Sequence, residues 1–176
     1  MATRPSERLR AEAYSGKGFG ALRRQLQEHA RDRIKNSIRR RFFCEAIAIT
    51  ESAIADRLES RLSFLEGKNA GFMNLGPLLG RLGRCEDDVE LKALLNEIDA
   101  WRRRRNEGLH ELVKVEAVEE PRTWQQRMAD LGRTAYDGYE LLQRLYHRVA
   151  DLHPRHHDRV FPRGPTRRRP REKESR

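Results

Sequence analysis

The segment Trp101-Arg102-Arg103-Arg104-Arg105-Asn106-Glu107-Gly108-Leu109-His110-Glu111-Leu112 brings three kinds of reactive side chain together. An imidazole takes up and returns protons near neutral pH, a guanidinium stabilises charge building on a pentacoordinate phosphate, and a carboxamide orients a reacting group by hydrogen bonding. These roles suit His110, Arg105 and Asn106. RNA carries its own nucleophile, the 2′-hydroxyl, so such a trio can cut RNA with neither metal nor other cofactor. DNA lacks that nucleophile.

Helical geometry selects among the arginines. At about 100° per residue, Ile98, Trp101, Arg105, Leu109 and Leu112 form one stripe, so Arg105 occupies a place meant for an apolar side chain. A guanidinium there needs a carboxylate, a cleft or a subunit interface to offset its burial. Asn106 and His110, four apart, stack on one face beside that stripe. Glu51 and Asp56 can each supply the carboxylate across a bundle or simply face solvent. Lys114, one turn beyond His110, is placed to touch a phosphate or to stand as an ordinary surface lysine.

The elements that must hold this segment are helical throughout. Residues 21–66 contain no proline or glycine, and Phe43, Ile47, Ile54, Leu58, Leu62 and Leu65 recur at three-, four- and seven-residue steps. That predicts one very long amphipathic helix or two end to end, with the core seam after Phe42 and Gly67 as its stop. Residues 68–83 read as a glycine-rich connector holding a short helical turn or two. From Glu86 the stripe of Leu91, Leu94, Leu95, Ile98, Trp101, Leu109, Leu112 and Val113 predicts a second helix, with Asp87 and Asp88 at the positive end of its dipole. Pro121 opens a last helix to about Leu152, with Trp124, Met128, Leu131, Ala135, Tyr139, Leu142, Leu145 and Val149 facing inward. Trp101, Trp124 and Tyr139 are thereby assigned to the core and not to base stacking.

The expected fold is all-α, a bundle of three main helices and one or two minor ones over residues 21–152. Residues 1–20 read as a flexible lead-in, and the Gly16-Lys17-Gly18-Phe19-Gly20 cluster as a hinge, since the spacing of a phosphate loop is missing. Residues 153–176, with Arg167-Arg168-Arg169-Pro170-Arg171, read as a disordered basic tail. His153, His156 and His157 lack the cysteine or carboxylate spacing of a metal site, so no metal is expected.

The Arg-x(4–6)-His arrangement, with a polar residue after the arginine, resembles the signature of the HEPN superfamily, small helical bundles that carry the motif on a late helix. Arg105-Asn106 followed by His110 matches with four residues between. Arg104 and Arg103 also satisfy the spacing, with five and six. The resemblance implies a metal-independent endoribonuclease, usually a homodimer whose two motifs face each other in a composite site. It also implies a place in toxin–antitoxin, phage-defence or CRISPR-linked systems, with an antitoxin or defence-system partner. HEPN toxins paired with a nucleotidyltransferase antitoxin carry a tyrosine two residues after the histidine. Here Leu112 holds that position, which removes control by modification of that tyrosine.

Charge points the same way. The 37 Lys and Arg against 27 Asp and Glu leave a formal +10, and Arg dominates, which favours a polyanion gripped through its phosphates. RNA is the expected partner, with Arg103, Arg104 and Lys114 as further contacts. The alternative is a non-catalytic basic helical module that binds RNA or an acidic protein. A DNA-binding regulator fits less well, because no compact helix-turn-helix spacing is present. Two isolated cysteines, no signal-peptide pattern and no long apolar run make the cytoplasm the expected compartment, with no membrane partner.

Overall fold

The computed structural model describes the backbone of residues 16–68, 70–112, 114 and 122–160, with side chains between residues 22 and 152. Among these residues there are five helices and no strand: α1 Gly16–Arg39, α2 Phe43–Glu66, α3 Leu75–Cys85, α4 Val89–Glu111 and α5 Trp124–Val160. They pack as a bundle around one core. The expected all-α fold is therefore what the chain adopts.

The uninterrupted stretch 21–66 is not a rod. It breaks at residues 40–42 and folds back, so α1 lies antiparallel on α2, with Arg33 bonded to Glu45 and Arg23 to Asp56. The break is a Schellman turn: the Phe42 amide donates to the Ser37 carbonyl at 2.8 Å and the Arg41 amide to Ile38 at 3.0 Å. Arg41 sits at φ 63°, the left-handed position normally given to glycine. No glycine or proline marks the turn, so its cause is tertiary. Among its described side chains α1 buries only Ile34 and Ser37, whereas α2 carries a full core face from Phe43 to Phe64. Folding back lets α1 cover that face.

Three further boundaries differ from expectation. Helix α1 begins at Gly16, so residues 16–20 form its first turns; residues 1–15 lie outside the described residues. The connector contains a helix of 11 residues, α3, because Leu75, Leu78, Leu79 and Leu82 share a face that all four bury. Helix α5 runs to Val160, past the expected end at Leu152. Residues 161–176, the greater part of the expected tail, lie outside the described residues, as do Val113, Pro121 and the side chains of His153, His156 and His157.

Helices α2 and α5 run parallel, with Phe43 against Gly132 and the Arg57 guanidinium 4.6 Å from the Tyr146 ring centre. α4 runs antiparallel to both. Ile54, Leu58 and Leu62 of α2, Leu91, Ile98 and Trp101 of α4, and Leu142, Leu145 and Val149 of α5 are fully buried between them. Trp101 fixes the α4–α5 register: its Nε1 donates to the Thr134 carbonyl at 2.8 Å and its ring lies where a Cβ on Gly138 would stand, 2.6 Å away. Only glycine admits the ring there. No helix among the described residues is long and apolar enough to cross a membrane.

Candidate active site

Two faces of α4 divide the sequence-predicted residues. On the inner face Arg105 has 13% of its side chain exposed and donates through Nη2 to Glu51 Oε1 on α2. Its guanidinium carbon lies 5.9 Å from the centre of the Trp101 ring. Glu51 thus supplies the carboxylate that a guanidinium in the apolar stripe requires, and the pair closes within one chain. Asp56 does not meet a motif arginine; it accepts from Arg23 at 2.8 Å and Gln27 at 3.4 Å.

On the outer face Arg103, Asn106, Glu107, His110 and Glu111 line an open groove of about 390 Å³ that Lys114 completes. His110, Glu107 and Lys114 are exposed and Asn106 is half-buried. The expected convergence of Arg105, Asn106 and His110 on one edge does not occur. About 100° of rotation per residue puts Asn106 roughly 100° and His110 roughly 140° around the axis from Arg105, which points into the bundle. Arg103 lies about 20° from His110 by the same rotation. Of the three arginines that satisfy the motif spacing, Arg103 is the one on the imidazole's face.

Arg103 is 70% exposed and bonded at 2.6 Å to Asp99, which also accepts from Arg102. Burial would raise the Asp99 carboxyl, but these two guanidiniums outweigh it and hold it below its usual range. Arg104 turns the other way, 3.0 Å from Asp137 on α5, and lines a separate groove with Glu97 and Arg144. It is placed away from His110.

Comparison with protein-family models, curated proteins and solved structures finds no match.

Sequence reasoning missed several groups. Glu107 follows from the same periodicity that placed His110, three residues before it, and Glu111 lies one turn after Glu107. Glu111 is neutralised by Arg122 at 3.2 Å, while Glu107 forms no ion pair among the described residues. Trp124, assigned to the core, is 59% exposed. Its period is inward, yet α2 begins at Phe43, which meets α5 at Gly132, so nothing from α2 stands at Trp124's level. Arg61 on α2 is a second charge in an apolar stripe, between Leu58 and Leu65; the test that singled out Arg105 finds it too. With Glu86 it forms a two-bond ion pair at 2.7 and 2.9 Å, each side chain 1% exposed.

Proposed function

We propose that the protein is a metal-independent endoribonuclease of HEPN type, acting at the outer face of α4. The observation that carries this reading is the open groove in which His110 and Asn106 stand on one face with Arg103, at a spacing the motif admits, and Lys114 follows one turn on. In the reaction the RNA 2′-hydroxyl attacks the adjacent phosphorus and gives its proton to His110. The P–O5′ bond breaks, the leaving 5′-oxygen is protonated, and a 2′,3′-cyclic phosphate and a 5′-hydroxyl result. Arg103 stabilises the phosphorane charge, Asn106 orients the scissile group and Lys114 holds a flanking phosphate.

Arg105 is on this reading a positioning residue: paired with Glu51, it fixes the rotation of α4 and so the direction in which His110 faces. Every described residue lining the groove comes from α4 or lies just beyond its end, so among the described residues the groove has one wall. A second copy of the chain, with its α4 facing the first, supplies the other. That is the homodimer the family resemblance implies, and it gives one imidazole to take the proton and another to return it. The half-buried position of Arg105 gives no independent support for a dimer, because Glu51 balances its charge within one chain.

The test is cleavage of single-stranded RNA after treatment with a chelator. Cutting should persist, leave 2′,3′-cyclic phosphate ends and vanish in His110→Ala while helical circular dichroism is unchanged. Metal-dependent cutting, or full activity of that variant, sinks the mechanism. A toxin or defence effector is the biological role this activity fits. If His110→Ala proves silent while RNA binding persists, a non-catalytic RNA-binding module takes its place.

A further inference from the structure

The arginines along the sides of the bundle are for the most part neutralised: Arg23 by Asp56, Arg33 by Glu45, Arg61 by Glu86, Arg81 by Glu66, Arg144 by Glu97 and Arg148 by Asp88. The end of the bundle where α1 turns into α2 is different. Arg39, Arg40 and Arg41 are all exposed there. Arg39 bonds only to the amide oxygen of Asn36, and Arg40 and Arg41 meet no carboxylate among the described residues. Arg127, near the start of α5, donates to the carbonyls of Lys114 and Arg122, and neither it nor Lys114 meets a carboxylate among the described residues.

Two large aromatic side chains share this end. Phe42 is 56% exposed although Phe43 beside it is buried against Gly132. Trp124 lies eight residues before Gly132, about 12 Å farther along the α5 axis. The C-terminal turns of α4 arrive at the same level, since Leu131 packs 3.2 Å from the Cβ position of Gly108. Hydrophobic rings left in water among unpaired cations are the composition of a surface for unpaired bases, each of which offers a π-face to the ring and a phosphate to the guanidinium. The backbone adds a separate observation. Arg41 keeps a left-handed conformation that glycine adopts without strain, so the backbone does not account for arginine at that position.

We infer that this end of the bundle is a landing surface for single-stranded RNA, with Arg39, Arg40 and Arg41 on phosphates and Phe42 and Trp124 stacked on bases. The choice of RNA rests on the ribonuclease reading; the surface itself rests on the charges and rings just described. Single strands are specified because a duplex keeps its bases stacked on each other and offers none to an aromatic side chain. The surface lies at the end of the bundle where α4 presents His110, so a strand held there is delivered to the groove.

Binding is measured with the full chain and a labelled 2′-O-methyl oligouridine, which lacks the free nucleophile and cannot be cut. Phe42→Ala and Trp124→Ala should each weaken binding roughly tenfold, the scale of one base–aromatic stack. Arg41→Gly should raise the melting temperature yet weaken binding, and should lower the salt dependence by about 0.7 in the logarithmic slope, one phosphate contact on a single strand. Opposite movement of stability and affinity is what a merely structural arginine would not show. Unchanged affinity in these three variants, or equal affinity for a duplex of the same length, overturns the inference. If the wild-type chain fails to cut ordinary RNA while these losses appear, the ribonuclease falls and the surface stands. If it cuts, and Phe42→Ala and Arg41→Gly cut with unchanged KM, the surface alone falls.

Discussion

At its N-terminal end α4 is tied to its neighbours by one ion pair sealed from solvent, Arg61–Glu86, and one partly exposed, Arg148–Asp88, whereas its C-terminal end presents charged and polar groups to an open groove. Glu86, just before α4, accepts two bonds from Arg61 of α2 and one each from the amides of Asp87 and Asp88. Asp88 then caps α4, accepting from the Leu91 amide at 2.8 Å, and also accepts from Arg148 of α5. Glu59, likewise buried, accepts from the Met73 amide at 3.1 Å and so ties the segment before α3 to α2. At the other end Arg103, His110 and Lys114 face outward, and only Arg105 reaches inward, to Glu51. Charged groups thus do opposite work at the two ends of one helix, and burial decides which.

The largest effect should come from breaking the sealed end. Arg61→Met leaves the Glu86 carboxylate buried without its counter-ion and should cost about 3–5 kcal/mol of unfolding free energy in a urea titration. Adding Glu86→Leu should restore much of that loss, because an apolar pair of similar volume needs no compensation. A smaller cost, about 1–3 kcal/mol, is expected for Arg105→Met, whose partner Glu51 remains partly solvated. Arg103→Ser should change stability by no more than about 0.5 kcal/mol and yet remove RNA cleavage. If instead Arg105→Met abolishes cleavage with the fold intact and Arg103→Ser is active, the assignment of the motif arginine reverses.

Acid gives a second way to separate the two ends. Burial would raise the Glu86 carboxyl, but Arg61 and the Asp88 and Asp87 amides outweigh it and hold it below its usual range. The Arg148 guanidinium does the same for Asp88. With folded values below unfolded ones, the unfolded chain binds protons first as pH falls. The stability these groups contribute is therefore complete above the ordinary carboxylate range, about pH 4, and is lost as pH drops through the lower folded values. Unfolding free energy followed from pH 6 downward should decline over that range, and the decline should be shallower in Glu86→Gln. An identical slope in that variant would show that the sealed end is not what acid undoes.

The helical periods of α2, α4 and α5 were legible because each carries an apolar stripe that must be buried, and burial follows spacing. Gly67 ends α2 with φ 65°, as a glycine after the last apolar residue predicts. Asp88 caps α4 where acidic residues precede an apolar run. Arg105 announced itself as a charge in the wrong stripe, and Glu51, named as a possible carboxylate, is its partner. Spacing also placed Asn106 and His110 on one face.

What spacing could not supply was the neighbour on the other side of each residue. The turn at residues 40–42 has no breaker, and it forms because folding back lets α1 cover the face of α2. Trp124 has an inward period but, among the described residues, no helix opposite it, and it stands exposed. Three arginines satisfy one motif, and helical spacing alone puts Arg103 on the face of His110, but the rotation of α4, set by Trp101 lying on Gly138 and Arg105 on Glu51, turns that face outward and Arg104 toward Asp137. By itself the sequence determined that the chain is helical and where its reactive residues lie along a helix, since both depend on residues near in sequence. Which of those residues face water, and in whose company, was decided by contacts between helices distant in the chain.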